Sequence, residues 1–413
     1  MQPTAWTPAN TTAIVDVMAH LRRMRLANLH TFGDLCTDFV AYVQSISHNA
    51  NRIDYVFDTY IDGSVKDSER ARRCNSSPID LNNVSPDTPL PVTMESFWAS
   101  SMNKTKLQLL LRKYILDNPM EATDLVVSAI GLDEMESARG IFSFAITLPE
   151  LNVKIEEADV RMIPHALHSV NEGASRIILL SNDTDVVVLG LHYWSLLKGH
   201  GLKELWIRAG VGNSTRHIPL HTLADKMNPD ICKVILPVHH LTGCDSTSKL
   251  GTKAASLKAE PAQHLQEFGK DPSNIDFGAV EQYLVNVLKS GTVCQTMDQL
   301  RYYLYHHSKK TIVDLPPTSR SLKGHILRAF YGTYLQLHCL DNVELSPCEF
   351  GFCQDDGALL PDRQQALLPD DFPMPCNCTT CGTKRCPCRQ NEIKCCCYCR
   401  CQATGKGCRN PVS

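Results

Sequence analysis

Eleven of the chain's nineteen cysteines fall between Cys376 and Cys408, and this crowding constrains its folding more than any other feature. From Cys376 the spacing runs Cys-x-Cys-x2-Cys-x4-Cys-x-Cys, then six residues, then Cys395, Cys399, Cys401 and Cys408. A segment so poor in large apolar side chains cannot bury a core, so metal or cross-links must supply its folding free energy. The first 25 residues hold no sustained apolar run of the kind a secretory leader needs. That turns the reading away from disulfides and toward thiolates in a reducing compartment, nucleus or cytosol, where clustered cysteines bind metal. Tetrahedral zinc takes four thiolates. With Cys396 and Cys397 set aside, nine remain: Cys376, Cys378, Cys381, Cys386, Cys388, Cys395, Cys399, Cys401 and Cys408. Nine suffice for about three structural zinc ions if three sulfurs each bridge two of them. The run Cys395-Cys396-Cys397 leaves the register open by a position or two, and a disordered thiol-rich tail is the alternative.

Charge follows the same division. From Cys376 to Ser413 there are seven basic residues and one acidic residue, a net of +6; the whole chain carries −3, so the part before the tail carries −9. A basic tail on an acidic body is expected to seek nucleic acid. No stretch approaches the ~18–20 apolar residues that a membrane span requires.

Upstream, short apolar runs at 13–17, 53–58 and 176–180 read as buried strands, with further strands expected at 204–210 and 233–237. A break carrying two acids separates 176–180 from a second, β-branched run that ends at Gly190. Helical patterns lie near 33–48, 104–117, 155–172, 279–289 and 319–338. Strands alternating with amphipathic helices predict an α/β fold, a parallel sheet with helices on both faces. Residues 74–100, rich in Asn, Ser, Asp and Pro, read as a long excursion, and 341–375 as a linker with some local packing.

Acids recur where the strand-like runs stop or break: Asp16, Asp58, Asp183, Asp185 and Asp245, with Glu156, Glu157 and Asp159 opening a helix. In a parallel sheet, ligands bind beyond the carboxyl ends of the strands. Carboxylates converging there would repel one another unless cations neutralise them, and magnesium suits an all-oxygen site. The plainer reading of any single one is a turn residue or a helix cap. His239 and His240, after an apolar run and Pro237, read as packing at the start of a helix rather than as ligands, and His165 and His168 likewise as packing one turn apart on a helix.

Ile14-Val15-Asp16, Val56-Phe57-Asp58, Glu157-Ala158-Asp159, Ser181-Asn182-Asp183-Thr184-Asp185 and Leu241-Thr242-Gly243-Cys244-Asp245 occur in that order. The ordered set resembles the PIN-like fold of flap endonucleases and related structure-specific nucleases, over roughly residues 10–255. The resemblance implies two Mg2+ or Mn2+ ions held by Asp16, Asp58, Glu157, Asp159, Asp183, Asp185 and Asp245. It also implies phosphate contacts from Lys66 with Arg70, Arg72 or Arg73, of which Lys66 and Arg73 are carried as site residues; a solvated helix face is the alternative. The stretch 74–120 stands where such nucleases have an arch, carrying Lys104, Lys106, Arg112 and Lys113; its leucines equally suit a core. After Asp245 only Gly251-Thr252-Lys253-Ala254-Ala255 stands where the nucleases carry a glycine-rich hairpin that grips duplex, which puts duplex gripping in doubt.

The tail, ending Cys408-Arg409-Asn410-Pro411, resembles the CXC domain of tesmin-type chromatin proteins. The pairing of the two modules resembles that of animal proteins of mobile-element type. Expected domains are 1–255 (PIN-like), 256–340 (helical extension), 341–375 (linker) and 376–413 (zinc cluster). A strand candidate only a dozen residues in suggests relatives that extend further at the N-terminus. Two functions follow from the resemblances. One is a metal-dependent phosphodiesterase held on DNA, or alternatively RNA, by its tail in the nucleus. The other is a non-catalytic DNA-binding chromatin protein with a degenerate nuclease-like scaffold.

Overall fold

The computed structural model describes residues 9–47, 49–73, 77–120, 123–130, 136–141, 144–252, 256–257, 265–308, 314–362, 376–392, 394–395, 399–403 and 407–410. Their main feature is one eight-stranded sheet. Its strands are β1 (Thr11–Asp16), β2 (Arg52–Val56), β3 (Asp124–Val127), β4 (Ala138–Ile141), β5 (Phe144–Thr147), β6 (Arg176–Leu180), β7 (Glu204–Ala209) and β8 (Arg216–Pro219), in the order β5-β4-β3-β2-β1-β6-β7-β8. The five central strands are parallel. Antiparallel β4 and β5 close one side and β8 the other, a feature the expected parallel sheet lacked.

Every residue of β1 is buried, because alternate side chains enter cores on opposite faces. Ala13 and Val15 pack with α2 (Phe32–Ile46) and α5 (Ser101–Asp117), where Phe39, Leu107 and Leu111 meet them. Ile14 packs on the other face with Met162 of α6 (Ala158–Asn171) and Leu189 and Trp194 of α7 (Thr184–Gly199). Thr31 fixes the start of α2: its hydroxyl accepts from Asp34 N at 3.2 Å while the Asp34 carboxylate accepts from Thr31 N at 3.0 Å.

Some sequence expectations need correction. The run at 233–237 is helical, lying within α9 (Pro229–Thr242), where every residue from Val234 to Thr242 is buried. A helix enclosed on all sides has no polar face, so its sequence shows no period to distinguish it from a strand. His239 and His240 therefore close a helix rather than start one. The β-branched run after Asp185 is likewise helical, inside α7. The excursion 74–100 contains a helix, α4 (Met94–Ala99), whose Met94 and Phe97 enter the first core. Within 341–375, β9 (Phe352–Asp355) and β10 (Ala358–Pro361) form a hairpin, and Leu359 N donates to Gly63 O at 3.2 Å. A third core joins α9 to helices Phe277–Leu288, Met297–His307 and Ser319–Leu337 through Val238, Tyr283, Leu300 and Phe330. The Tyr193 hydroxyl of α7 donates to Gln336 O at 2.7 Å, tying these helices to the sheet.

Candidate functional site

Strands β1, β2 and β6 run parallel, and β2 and β6 flank β1 on opposite sides. Their carboxyl ends therefore open on one edge where the strand order reverses, the place where α/β sheets bind ligands. Asp16 ends β1 and starts α1 (Val17–Leu21), its Oδ1 accepting from Ala19 N at 3.0 Å. Asp58, two residues beyond β2, accepts from Ala158 N at 2.9 Å where α6 begins. Asp183 follows β6 and caps α7, accepting from Asp185 N at 2.9 Å. Asp16 and Asp183 cap the helices that follow them, as the plainer reading held, Asp58 bonds the first turn of a helix distant in sequence, and all three line one cavity. That cavity, about 240 Å³, gathers Asp16, Asp58, Glu157, Asp159, Asp183, Asp245 and Lys66. Asp245 reaches it through Gly243, at φ 112°, where a Cβ would lie 2.6 Å from Lys249 Cα. Only glycine makes that turn without strain.

Asp185 is the exception among the expected acids. It faces a neighbouring cavity, with Oδ1 3.0 Å from His239 Nε2. Burial works against its charge, but His239 outweighs burial and holds it down at about 2. The acids in the cleft behave oppositely. Burial first, then repulsion from Asp58, pushes Asp16 up to about 7. Burial and the charge of Asp16 push Asp159 well above the carboxylate range, and burial raises Asp183. Asp159 Oδ1 is buried with no hydrogen-bond partner. Crowded carboxylates with an orphaned oxygen are hard donors of the kind divalent cations take, but among the described residues no three of their oxygens lie within 4.8 Å of one another.

One wall of the cleft is basic. Lys66 Nζ lies 2.7 Å from Glu157 Oε1, and Arg70 Nη1 2.8 Å from Glu156 Oε1. Arg22 and Tyr60 complete the lining beside Arg70. The Tyr60 ring has Lys104 Nζ 4.4 Å and Arg70 Cζ 4.8 Å from its centroid, and its hydroxyl donates to Asp58 Oδ2 at 3.3 Å. Burial, then the charges of Arg22 and Arg70, lower Lys104 to about 8. Arg72 pairs with Glu69, and the side chain of Arg73 lies outside the described residues. In α5, Leu107 and Leu111 are wholly buried, Lys106 Nζ donates to Leu81 O and Arg112 to Glu136 O, so this helix is packed onto the sheet.

Sequence reading missed Arg161. It is fully buried, and its Nη1 donates to Phe57 O at 2.8 Å and Thr59 Oγ1 at 3.1 Å, the residues on either side of Asp58. A charged residue inside the otherwise apolar run Val160–Ile163 was the available signal. Tyr60 carried none. His165, set aside earlier, is indeed internal, with Nδ1 2.7 Å from Asp54 Oδ2. His240 Nδ1 lies 3.3 Å from Cys244 Sγ. Burial pushes that thiol up, but His240 and the Ser246 and Thr247 hydroxyls outweigh burial and bring it to about 5.

The cysteine tail is a second centre. Cys376, Cys378, Cys381 and Cys386 form one set of four whose sulfurs lie within 4.8 Å of one another; Cys376, Cys386, Cys388 and Cys395 form a second, and Cys376, Cys381, Cys395 and Cys401 a third. Zn–S bonds of about 2.3 Å in a tetrahedron place sulfurs about 3.8 Å apart. Cys376 Sγ lies 3.4 Å from Cys381 Sγ, 3.8 Å from Cys395 Sγ and 3.9 Å from Cys401 Sγ, and Cys388 and Cys399 are 3.6 Å apart. These separations suit a shared metal and far exceed the ~2.05 Å of a disulfide. Cys408 packs against the group, so all nine expected cysteines belong to it; Cys396 and Cys397 lie outside the described residues. Asn410 Nδ2 donates to Cys395 Sγ at 3.4 Å and Asn410 N to Cys408 Sγ at 3.3 Å, bonds that stabilise thiolates from outside the ligand set. The cysteine groups can hold zinc.

Compared with known family models and with curated proteins, the sequence matches none. Among the described residues, no helix is long and apolar enough to cross a membrane.

Proposed function

We propose that the chain is a metal-dependent phosphodiesterase of PIN-like, structure-specific nuclease type, held on nucleic acid by a CXC-type zinc cluster. One observation carries the reading: six of the seven expected acids, from five separated segments of sequence, meet Lys66 and Arg70 in a single cleft at the carboxyl edge of the sheet. Divalent ions bound there, Mg2+ or Mn2+, would supply charge neutralisation and an activated water. Asp16, Asp58, Asp159, Asp183 and Asp245 would hold them. Lys66 and Arg70 stand across from these acids, placed to bind nonbridging phosphate oxygens. Arg161 bonds the Phe57 carbonyl and the Thr59 hydroxyl on either side of Asp58 and so positions it.

The tail supports tethering in a nuclear setting. About three structural zinc ions would fix its chain, and the basic residues between the ligands would then meet DNA phosphates, or RNA phosphates, in a salt-dependent way. Metal analysis of the purified protein should return that stoichiometry; one zinc or none would overturn the cluster.

The test of activity uses flap, bubble and single-stranded DNA and RNA with Mg2+ or Mn2+. Asp16→Asn/Asp159→Asn should lower the rate at least about 100-fold. Cleavage that this variant retains would sink the assignment. The second reading, a binding scaffold, draws on Lys66 pairing with Glu157 and on the spacing of the acids. Among the described residues, the groups of three or more ligand atoms within 4.8 Å of one another are all cysteine sulfurs. No cleavage of any substrate, with DNA retention intact, would favour it.

A further inference from the structure

Beside the acid cleft lies a second cavity of about 290 Å³, and Lys66 and Glu157 line both. Its walls differ sharply from those of its neighbour. Ile61, Val160, Leu335 and Leu345 make it apolar, and the ring of Tyr331 gives it an aromatic wall, held edge-on against Phe352 with centroids 5.7 Å apart. At its inner end, His240 and Gln336 line the space, about 95% buried, and His240 Nε2 and Gln336 Oε1 lack a hydrogen bond of good geometry. The pocket is thus largely apolar, with one aromatic wall and a polar end, and it adjoins the acid cleft.

We propose that this pocket receives one unpaired nucleobase of the strand whose phosphate lies in the acid cleft. A base offers two apolar faces and an edge of donors and acceptors, matching the apolar walls and the His240–Gln336 end. Substrates that are single-stranded or unpaired at this point are preferred, because a paired base presents its edge to its partner rather than to His240 and Gln336. The inference rests on the phosphodiesterase reading for its phosphate partner. Its occupant follows from adjacency: the Lys66–Glu157 ion pair lines both cavities, so a strand with its phosphate on one side of that pair has its neighbouring base on the other.

The test uses full-length protein with adenosine, dAMP and 2-deoxyribose 5-phosphate as probes, with and without Mn2+, measured by calorimetry and ligand-observed NMR. Val343→Trp, from an irregular segment lining the cavity, fills the pocket; Tyr331→Leu removes its aromatic wall. dAMP should bind at least about 10-fold more tightly than the sugar phosphate, and both variants should erase that preference while Mn2+ binding is unchanged. Equal affinity for the two probes, or a preference that survives Val343→Trp, overturns the pocket. Adenosine carries no phosphate and separates the two readings. Adenosine binding that Val343→Trp abolishes supports the pocket even if Mn2+ fails to bind, a failure that counts against the phosphodiesterase alone. Normal Mn2+ binding without adenosine binding overturns the pocket alone.

Discussion

Asp16 and Asp54 sit on neighbouring strands of one sheet, both buried, and the chain treats them in opposite ways. Asp54 on β2 is 0% exposed and surrounded by partners: Arg52 Nε and Nη2, each at 2.6 Å, and His165 Nδ1 at 2.7 Å. Burial opposes its charge, yet Arg52 and His165 outweigh burial and hold it at about 2. Asp16 on β1 has other acids for neighbours and is pushed up to about 7. A structural carboxylate is neutralised by its own chain. Asp16 has no such partner: at the end of a strand, its charge meets those of Asp58 and Asp183, and it is the kind of carboxylate that the proposed cation would neutralise.

The largest expected effect tests the structural half. Asp54→Asn removes the fully buried partner of Arg52 and leaves that guanidinium only the more exposed Glu172, and breaking a buried pair typically costs up to about 3–5 kcal/mol. Chemical denaturation should show that loss; a midpoint near wild type would mean that Asp54 is not the anchor described. The same substitution at the cleft should behave in reverse. Asp16→Asn/Asp159→Asn removes like-charge repulsion, so metal-free stability should hold or rise while cleavage falls at least about 100-fold, near 2.7 kcal/mol in the barrier. A double variant that is both unstable and inactive would erase the contrast between the two acids.

Arg161 lies between the extremes. It is buried like Asp54, but its bonds go to Phe57 O and Thr59 Oγ1 around a cleft acid. Arg161→Leu strands those two acceptors and should cost about 1–3 kcal/mol. Metal affinity should weaken as well, since Asp58 loses its frame. Unchanged Mn2+ affinity in a folded variant would make Arg161 a stability residue only.

Legibility followed the range of the interactions. The cysteine cluster was readable because its ligands lie within one short segment, where spacing alone dictates geometry. Asp16, Asp58 and Asp183 were readable because short apolar runs lead to them and parallel strands bring such ends to one edge. Asp185 was misplaced because its neighbour His239 comes from α9, which its sequence disguised as a strand. Arg161 and Tyr60 were missed for a related reason: what they touch depends on the packing of α6, α3 (Val65–Arg73) and α5 around the cleft. The antiparallel strands β4, β5 and β8, four residues each, were too short to show a period.

The smallest effect concerns pH, and it sets the two carboxylates against each other within one titration. The folded pKa of Asp54 is depressed, so its stabilisation is present above the unfolded value near 3.8 and fades as pH falls toward about 2. The folded pKa of Asp16 is raised, so the folded state binds its proton more tightly than the unfolded state does. Metal-free stability should therefore decline as pH rises from about 3.8 to about 7. Thermal melts without divalent ions should show a maximum on the acid side of neutrality. Asp16→Asn should flatten the limb above it and leave the limb below it intact. Mg2+ should do the same to the wild type, because a cation in the cleft favours the ionised carboxylate. A limb that Mg2+ does not move would mean that the cleft holds no cation and that its crowded acids have another use.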